Sequence, residues 1–246
     1  YLSNMLNFDP DMPAFFLYYE KGELVGLLTV YADDPDVEVA ILVHPNHRRQ
    51  GIARALYRSF ETETASYPIE SVTFQTERVF LERHPDFVNN WGLVEDEETE
   101  TWLGKDRRPY PLATVSNLDV LLADRSYQDQ ISQLKFQAFS EEHESREVVD
   151  RYVAKALKDP ESNLYILLKN GQVIGTCTVD LSSNTNYLYG LATAEHERGK
   201  GYGSYLAKSL VNQLIEQNDK EFQIAVEDSN VGAKRLYEKI GFVKQT

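Results

Sequence analysis

Arg198-Gly199-Lys200-Gly201-Tyr202-Gly203 decides how the rest of this chain is read. It follows an apolar run, Tyr187-Leu188-Tyr189-Gly190-Leu191-Ala192, and precedes Leu206, Ala207, Leu210, Val211, Leu214 and Ile215, which recur at helical spacing. The order is strand, glycine-rich turn, helix N-terminus. A helix start directs several unpaired N–H groups, and the positive end of its dipole, at one place. Glycines there let the backbone approach a ligand closely. A phosphate or pyrophosphate is the ligand such a turn implies.

Three loop patterns come into question. G-x-x-x-x-G-K-[ST] occurs nowhere in the chain. G-x-G-x-x-G opens a βαβ unit and carries an acid about 20 residues on. Gly199 and Gly201 fit it, but Ser204 holds the third position and the turn comes late in its segment. The third pattern, [RQ]-x-x-G-x-[GA], is met by Arg198, Gly201 and Gly203. An ordinary glycine-rich turn would account for six residues equally well, and the wider sequence separates the two. Arg48-Arg49-Gln50-Gly51-Ile52-Ala53 repeats the pattern, with Gly51 standing 150 positions before Gly201. It too follows an apolar run, Val39-Ala40-Ile41-Leu42-Val43, and precedes Leu56, Tyr57 and Phe60. Upstream, the stretch from Tyr18 to Val30 aligns with that from Leu167 to Val179, with Gly22 and Gly26 standing 149 positions before Gly171 and Gly175. Gly92 and Gly241 keep the spacing of 149. Such a repeat marks a duplicated domain.

With 246 residues the chain has room for two domains of ordinary size. A hydrophobic fraction of 42% and a charged fraction of 26% are those of a soluble globular protein. No apolar run approaches the roughly 20 residues that span a bilayer. Asp9, Asp11 and Pro13 interrupt any candidate signal peptide. The single cysteine, Cys177, excludes an internal disulfide, reads as a buried structural thiol in a strand, and suits a reducing cytoplasm. The net charge of −14 argues against nucleic acid and anionic membranes as partners and is compatible with a cationic amine substrate. Against that background Arg48, Arg49 and Arg54 form a local basic cluster suited to phosphates. The run from Glu95 to Glu100 reads as a solvated hairpin turn.

Strands mixed with helices place the chain in the α/β class with an α+β mixed sheet. We expect an N-terminal domain over residues 1–104 and a charged, proline-broken linker over 105–117. The C-terminal domain then runs over 118–246, with strands near 118–123 and 222–226 and helices near 127–139, 146–158 and 230–240. The first repeat lacks room for the opening strand and helix pair of the second. The second stops just after Gly241-Phe242. Either the ends are trimmed or the two halves complete each other.

The [RQ]-x-x-G-x-[GA] pattern, repeated across nearly the whole chain, resembles the acetyl-coenzyme A loop of the GNAT family of N-acetyltransferases in its tandem form. The stretch from Asn230 to Phe242, ending Leu236-Tyr237-Glu238-Lys239-Ile240-Gly241-Phe242, resembles the family's second signature. The resemblance implies acetyl-CoA as cofactor. Its diphosphate would sit on the backbone of Arg198, Gly199, Lys200, Gly201, Tyr202, Gly203 and Ser204, where the amides act and the Lys200 and Tyr202 side chains are free to vary. Its pantetheine would lie along the strand edge at Leu191, Ala192 and Thr193, and Asn230 would contact it or cap the helix. Leu42, Val43, Arg48, Arg49, Gln50, Gly51, Ile52, Ala53 and Arg54 are the counterparts in the first half. Tyr237 would protonate the departing thiolate, and a backbone N–H of the splayed strand would receive the oxyanion. The general base stays open between water, Asp180 and a tyrosine, because Tyr187 and Tyr189 stand on the motif strand.

The first half departs from the family at Val88, which aligns with Tyr237, and at Pro85, which falls where a helix would run. It carries Glu38 on its motif strand. It is expected to bind coenzyme A weakly or structurally and not to turn over. His196 and Glu197 read as surface residues. Glu141, Glu142, His143, Glu144 and Glu147 lack the H-E-x-x-H spacing, so no metal is expected. The implied activity is acetyl transfer from acetyl-CoA to a small-molecule primary amine by direct attack in a ternary complex, in a cytoplasmic monomer (an internal pseudo-dimer) or homodimer. The alternatives are a protein N-terminal or lysine acetyltransferase, and a coenzyme A-binding sensor or scaffold without catalysis.

Overall fold

The structure, a computed structural model, describes residues 8–32, 35–96, 98–139 and 145–245. It divides into two compact units, Tyr1–Glu95 and Asp96–Thr246.

In the first unit β1 (Phe15–Glu20) and β2 (Glu23–Tyr31) form an antiparallel hairpin. Its turn residues, Lys21 and Gly22, have φ of 52° and 87°, as a two-residue type I′ turn requires. β3 (Asp36–Val43) continues the sheet antiparallel, and β4 (Ser71–Phe74) closes it parallel to the first half of β3. Helix α1 (Ile52–Glu63) lays Ile52, Leu56 and Phe60 on a core of Met12, Phe16, Leu28, Val30, Val37 and Val39. The expected break at Pro85 is present: α2 (Arg78–Arg83) and α3 (Phe87–Trp91) are separate short helices. Proline lacks the N–H a continuing helix needs and restricts the residue before it.

The second unit is built on a mixed sheet of seven strands, in the order β11-β5-β10-β9-β8-β7-β6. These are β5 (Glu100–Lys105), β6 (Leu118–Leu122), β7 (Ser162–Lys169), β8 (Gln172–Asp180), β9 (Thr185–Thr193), β10 (Glu221–Glu227) and β11 (Val243–Lys244). The β7–β8 turn repeats that of β1–β2, with Asn170 and Gly171 at φ of 52° and 81°. Helices α6 (Tyr202–Gln217) and α7 (Val231–Lys239) cover one face, burying Leu206, Leu210, Leu214 and Tyr237 against Leu188, Ile224 and Leu103. Helices α4 (Gln128–Ala138) and α5 (Arg146–Ala156) cover Leu164, Ile166 and Leu168 on the other. All the elements expected for residues 118–246 are present within a few residues.

Two segments behave differently from the expectation. The acidic run from Glu95 turns no hairpin but leads into β5; Glu97 lies outside the described residues. By the repeat, β5 comes after Gly92, the counterpart of Gly241, yet it lies between β10 and β11 in the larger sheet. Chain from the first repeat thus completes the sheet of the second. The stretch read as a linker is fastened to the second unit. Arg107 Nη2 donates to the Ile215 and Asn218 carbonyls at 2.9 Å, at the end of α6. Tyr110 exchanges two hydrogen bonds with the Asn212 amide, and its hydroxyl donates to the Ile240 carbonyl. Buried side-chain and backbone partners of this kind fix a segment in place.

Candidate functional site

The site starts where two parallel strands part. β9 and β10 pair from Thr185 with Glu221 to Leu188 with Ile224, and both run on unpaired with each other. The cause lies on the other edge of β9. Its register with β8 shifts between Thr176 and Thr178, so that two residues, Gly190 and Leu191, oppose the single Cys177. Gly190 has a φ of 58°, the left-handed conformation that a bulge of this type assigns to glycine. A bulge bends its strand and re-aims the residues beyond it, and here it turns Leu191, Ala192 and Thr193 away from β10.

The bulge also explains a mismatch in the repeat. β2 and β3 pair without interruption from Gly26 with Val43 to Tyr31 with Glu38. The corresponding pairs are Gly175 with Thr193 and Asp180 with Tyr187. The spacing therefore changes from 149 to 150 between Tyr187 and Thr193. The extra residue is the bulge, and this change of spacing was the one signal in the sequence that could have located it.

Beyond Thr193 the chain makes a 3-10 turn at Glu195–Glu197 and enters α6 through Gly199 and Gly201, at φ of 77° and 87°. The N-cap residue of α6 is Gly201, which has no side chain to cap it, so first-turn amides stay available. A Cβ built at Gly199 or Gly201 meets nothing within 4 Å, so open space lies in front of both. That space belongs to a cleft of about 310 Å³ lined by Leu191, Thr193, the loop and one side of α7. Arg235 and Lys239, one turn apart on α7, line it as well, and sequence reading missed both. Main-chain amides, two left-handed glycines and two cations around open space suit a diphosphate, and so the coenzyme's charged end.

The expected loop residues are together, but three of their side chains have duties that were not expected. Arg198 turns back, its Nε donating to the Thr193 carbonyl at 3.4 Å, so it braces the loop. Glu197 is 8% exposed and no surface residue; its carboxylate receives Lys169 at 2.8 Å and Lys200 at 2.9 Å. Those two ammonium groups hold its carboxyl down at about 2. Tyr202 lies under Lys169, whose Nζ is 5.0 Å from the ring centroid. Lys200 and Tyr202 are therefore constrained by the ion pair that ties loop to hairpin.

Tyr237 points from α7 into the core beside Phe242 and is 5% exposed. Burial, and the nearby Cys177 and Tyr187 groups, push its hydroxyl well above the usual tyrosine range. Its hydroxyl lies in the core near Cys177, the residue opposite the bulge, and Tyr187 on β9. The Cys177 thiol is itself fully buried and pushed up to about 12, which leaves it a thiol at neutral pH. Asn230 caps α7, its side chain accepting from Ala233 N at 3.0 Å. Asp228 fastens α7 to β5: it accepts from Thr99 and Thr101 at 2.6 Å and from Lys234 at 2.7 Å.

The first loop has the same course. Gly51 has a φ of 85°, and Arg48 Nε donates to the Val43 carbonyl at 3.1 Å. The basic cluster expected there is dispersed, because Arg54 reaches across to α3, donating to the Asn90 carbonyl at 3.2 Å and lying over Trp91. Residues 141–144 lie outside the described residues. Among the described residues no group of three His, Cys, Asp or Glu side chains could hold a metal ion, and no helix is long and apolar enough to cross a membrane.

The model of the acetyltransferase (GNAT) family matches residues 2–78 and 128–242. A mycothiol acetyltransferase of Clavibacter sepedonicus is 26% identical over 230 residues, covering 89% of this chain and 73% of that protein. Among solved structures, a GCN5-related N-acetyltransferase from Sphaerobacter thermophilus has a TM-score of 0.70 at 16% identity, over 91% of this chain and 75% of its own. A tandem GNAT protein from the clavulanic acid biosynthesis pathway has a TM-score of 0.69 at 17% identity, over 94% and 81%. The chain belongs to the GNAT acetyltransferase family, in its tandem form, and is an acetyl-CoA-dependent N-acetyltransferase.

Proposed function

We propose that this GNAT acetyltransferase acylates a primary amine of a small molecule by direct attack in a ternary complex, with its working site in residues 118–246 together with β5. The observation that carries the reading is the coincidence of three features: parted strands, a bulge at Gly190, and an uncapped helix start facing open space. Bound there, acetyl-CoA supplies an acetyl group activated as a thioester. The amides from Arg198 to Ser204 hold its diphosphate, with Arg235 and Lys239 beside them, and the edge of Leu191, Ala192 and Thr193 receives its arm as an added strand would be received.

The neutral amine attacks the thioester carbonyl, the C–S bond breaks, the amine's proton passes to solvent water, and Tyr237 gives its own proton to the sulfur. Burial raises the Tyr237 hydroxyl, so the proton is in place at neutral pH, to be given as the C–S bond breaks. Cys177 is buried and protonated, which supports direct attack over an acyl-cysteine route. The first repeat, residues 1–104 by the duplication, keeps the loop but lacks the bulge and the tyrosine, and Arg54 bridges α1 to α3. We therefore assign it no turnover.

The test is consumption of acetyl-CoA with a panel of small amines, monitored through the free thiol released. Turnover with at least one small amine, and none without an acceptor, is the expected result. Turnover only with protein N-termini or lysine peptides would move the assignment to a protein acetyltransferase.

A further inference from the structure

One face of the larger sheet carries a group of side chains that acetyl-CoA binding leaves unused. Trp102 on β5 and Tyr187 on β9 come from strands separated by β10, yet their rings stack across it at 5.3 Å and 19°. Tyr187 stacks in turn on Tyr189 at 5.7 Å and 15°. The small Ala225, paired with Trp102, lies on the intervening strand. Tyr189 stays 37% exposed and comes directly after the last paired residue of β9, so the ladder ends at the parting of the strands.

Beyond the parting, on the same face, Glu100 and Glu227 are direct cross-strand partners. Residues so placed have side chains starting roughly 5 Å apart, and like charges there destabilise a sheet. Both are exposed, and neither is in a salt bridge among the described residues. A fold that tolerates opposed carboxylates beside an aromatic ladder gains from a cation between them.

The geometry points to this face as the acceptor subsite, fitted to an ammonium group on a flat apolar or aromatic body, the body against Trp102 and Tyr189 and the charge toward Glu100 and Glu227. The inference rests on the acetyl-transfer reading above and names the substrate class for it. Lys135 stands near Gly190 on β9, so the end of the face that favours a cation is the one on β5 and β10. Although its side chain is exposed, partial desolvation of the carboxyl, ahead of the neighbouring Glu227, raises Glu100. An acceptor with its own carboxylate beside the amine would meet the two acids and be disfavoured.

The test uses the full chain with Trp91→Phe, so that Trp102 is the remaining tryptophan, and tyramine as probe. Tyramine is expected to quench the Trp102 emission at least about tenfold more tightly than uncharged 4-ethylphenol, a factor one charge-assisted contact supplies. Tyrosine is expected to bind more weakly than tyramine. The double variant Glu100→Gln/Glu227→Gln should erase the tyramine preference while melting at or above the wild-type temperature, since it removes a repulsion. A pair without a binding role would melt the same way but leave the tyramine preference unchanged. Coenzyme A affinity, read by calorimetry, should not change. Equal binding of tyramine and 4-ethylphenol, absence of quenching, or a preference that survives the double variant overturns the inference. Loss of coenzyme A binding by the wild type instead overturns the acetyl-transfer reading, whatever the amine does.

Discussion

The loops at residues 43–51 and 193–201 are one design built twice. In each, the residue after the strand donates to the second strand of the hairpin at 2.9 Å, His44 to Val25 and Ala194 to Ile174. In each, an arginine Nε braces the strand end and a left-handed glycine opens the helix. Even the side-chain contact that ties loop to hairpin recurs with the acid on the other side: Glu20 with His47 at 2.9 Å, Lys169 with Glu197 at 2.8 Å. The differences lie farther off in the chain. The second loop has a bulged strand before it, an unbroken α7 beside it and β5 behind it. The first has an uninterrupted strand, a helix broken at Pro85 and an arginine on α1 bonded to α3. A phosphate-loop backbone is written in a dozen local residues and survives duplication unaided. On the reading proposed above, chemistry depends on parts that arrive from elsewhere in the chain, and the first repeat lacks the bulge and the tyrosine.

The sharpest break in this comparison is Tyr237→Phe. It is expected to lower kcat about a thousandfold, within the range of a lost general acid, with coenzyme A affinity unchanged. Because burial raises the Tyr237 hydroxyl, its proton is present throughout the neutral range, and any alkaline fall it causes lies above about pH 10. A rate profile that falls with a midpoint near 8 and loses that limb in the variant would contradict the assignment. Val88→Tyr in the first repeat should restore nothing, since the bulge is missing there too. Next in size is the pair Gly201→Val and Gly51→Val. Both place a branched side chain on a left-handed backbone, with no clash at either Cβ. Losing about two charge-assisted amide contacts at Gly201 should weaken coenzyme A binding about a hundredfold by calorimetry. Gly51→Val should leave it near wild type; equal losses would mean that the first loop binds as well.

Most of the fold was legible because its signals are local: the paired turns, the helical spacing of Leu206 to Leu214, and Pro85 as a breaker. The strands of the second repeat were found for the same reason. β5 was not, because nothing in Glu100–Lys105 tells which sheet will accept it; that is settled by a gap between β10 and β11. Around the site, the glycines and Tyr237 could be read from pattern. Glu197 could not, since its burial depends on Lys169, far away in sequence but adjacent in the sheet, and a charged residue without its partner in view reads as surface. Arg235 and Lys239 were hidden by the same logic, as ordinary charges on an exposed helix until the cleft gives them a direction. The change of spacing from 149 to 150 is visible in the sequence, but its meaning needed the strand register.

The contacts that tie each loop to its hairpin give a smaller and directional effect. Glu197 is depressed to about 2 by hydrogen bonds from Lys169 and Lys200, so its contribution to stability is complete above the unfolded value of about 4.3 and is lost as pH falls through about 2. Glu197→Gln should therefore melt below wild type at pH 7, with the difference closing between those two pH values. Glu20→Gln should cost less, because the Glu20 side chain is 41% exposed against 9% for Glu197 and the pair is more open to solvent screening. A wider gap for Glu20→Gln in urea denaturation at pH 7 would reverse the ranking of the two loops.

The smallest expected change concerns a position where the two loops make the same backbone demand of different residues. Arg49 has a φ of 61°, while its counterpart Gly199 has 77°, so an arginine occupies a conformation that costs most residues about 1–2 kcal/mol. Arg49→Gly removes that strain and adds about 0.5–1 kcal/mol of chain entropy to be lost on folding. The difference leaves the variant about 0.5 kcal/mol more stable, read as a higher urea midpoint for the first unit. Gly199→Arg runs the other way by a similar amount, and since a Cβ there meets nothing within 4 Å, its cost is backbone alone. The reverse result, Arg49→Gly losing stability, would mean that the guanidinium repays its strain through contacts of its own, and the first loop would then be held by its side chains where the second is held by its glycines.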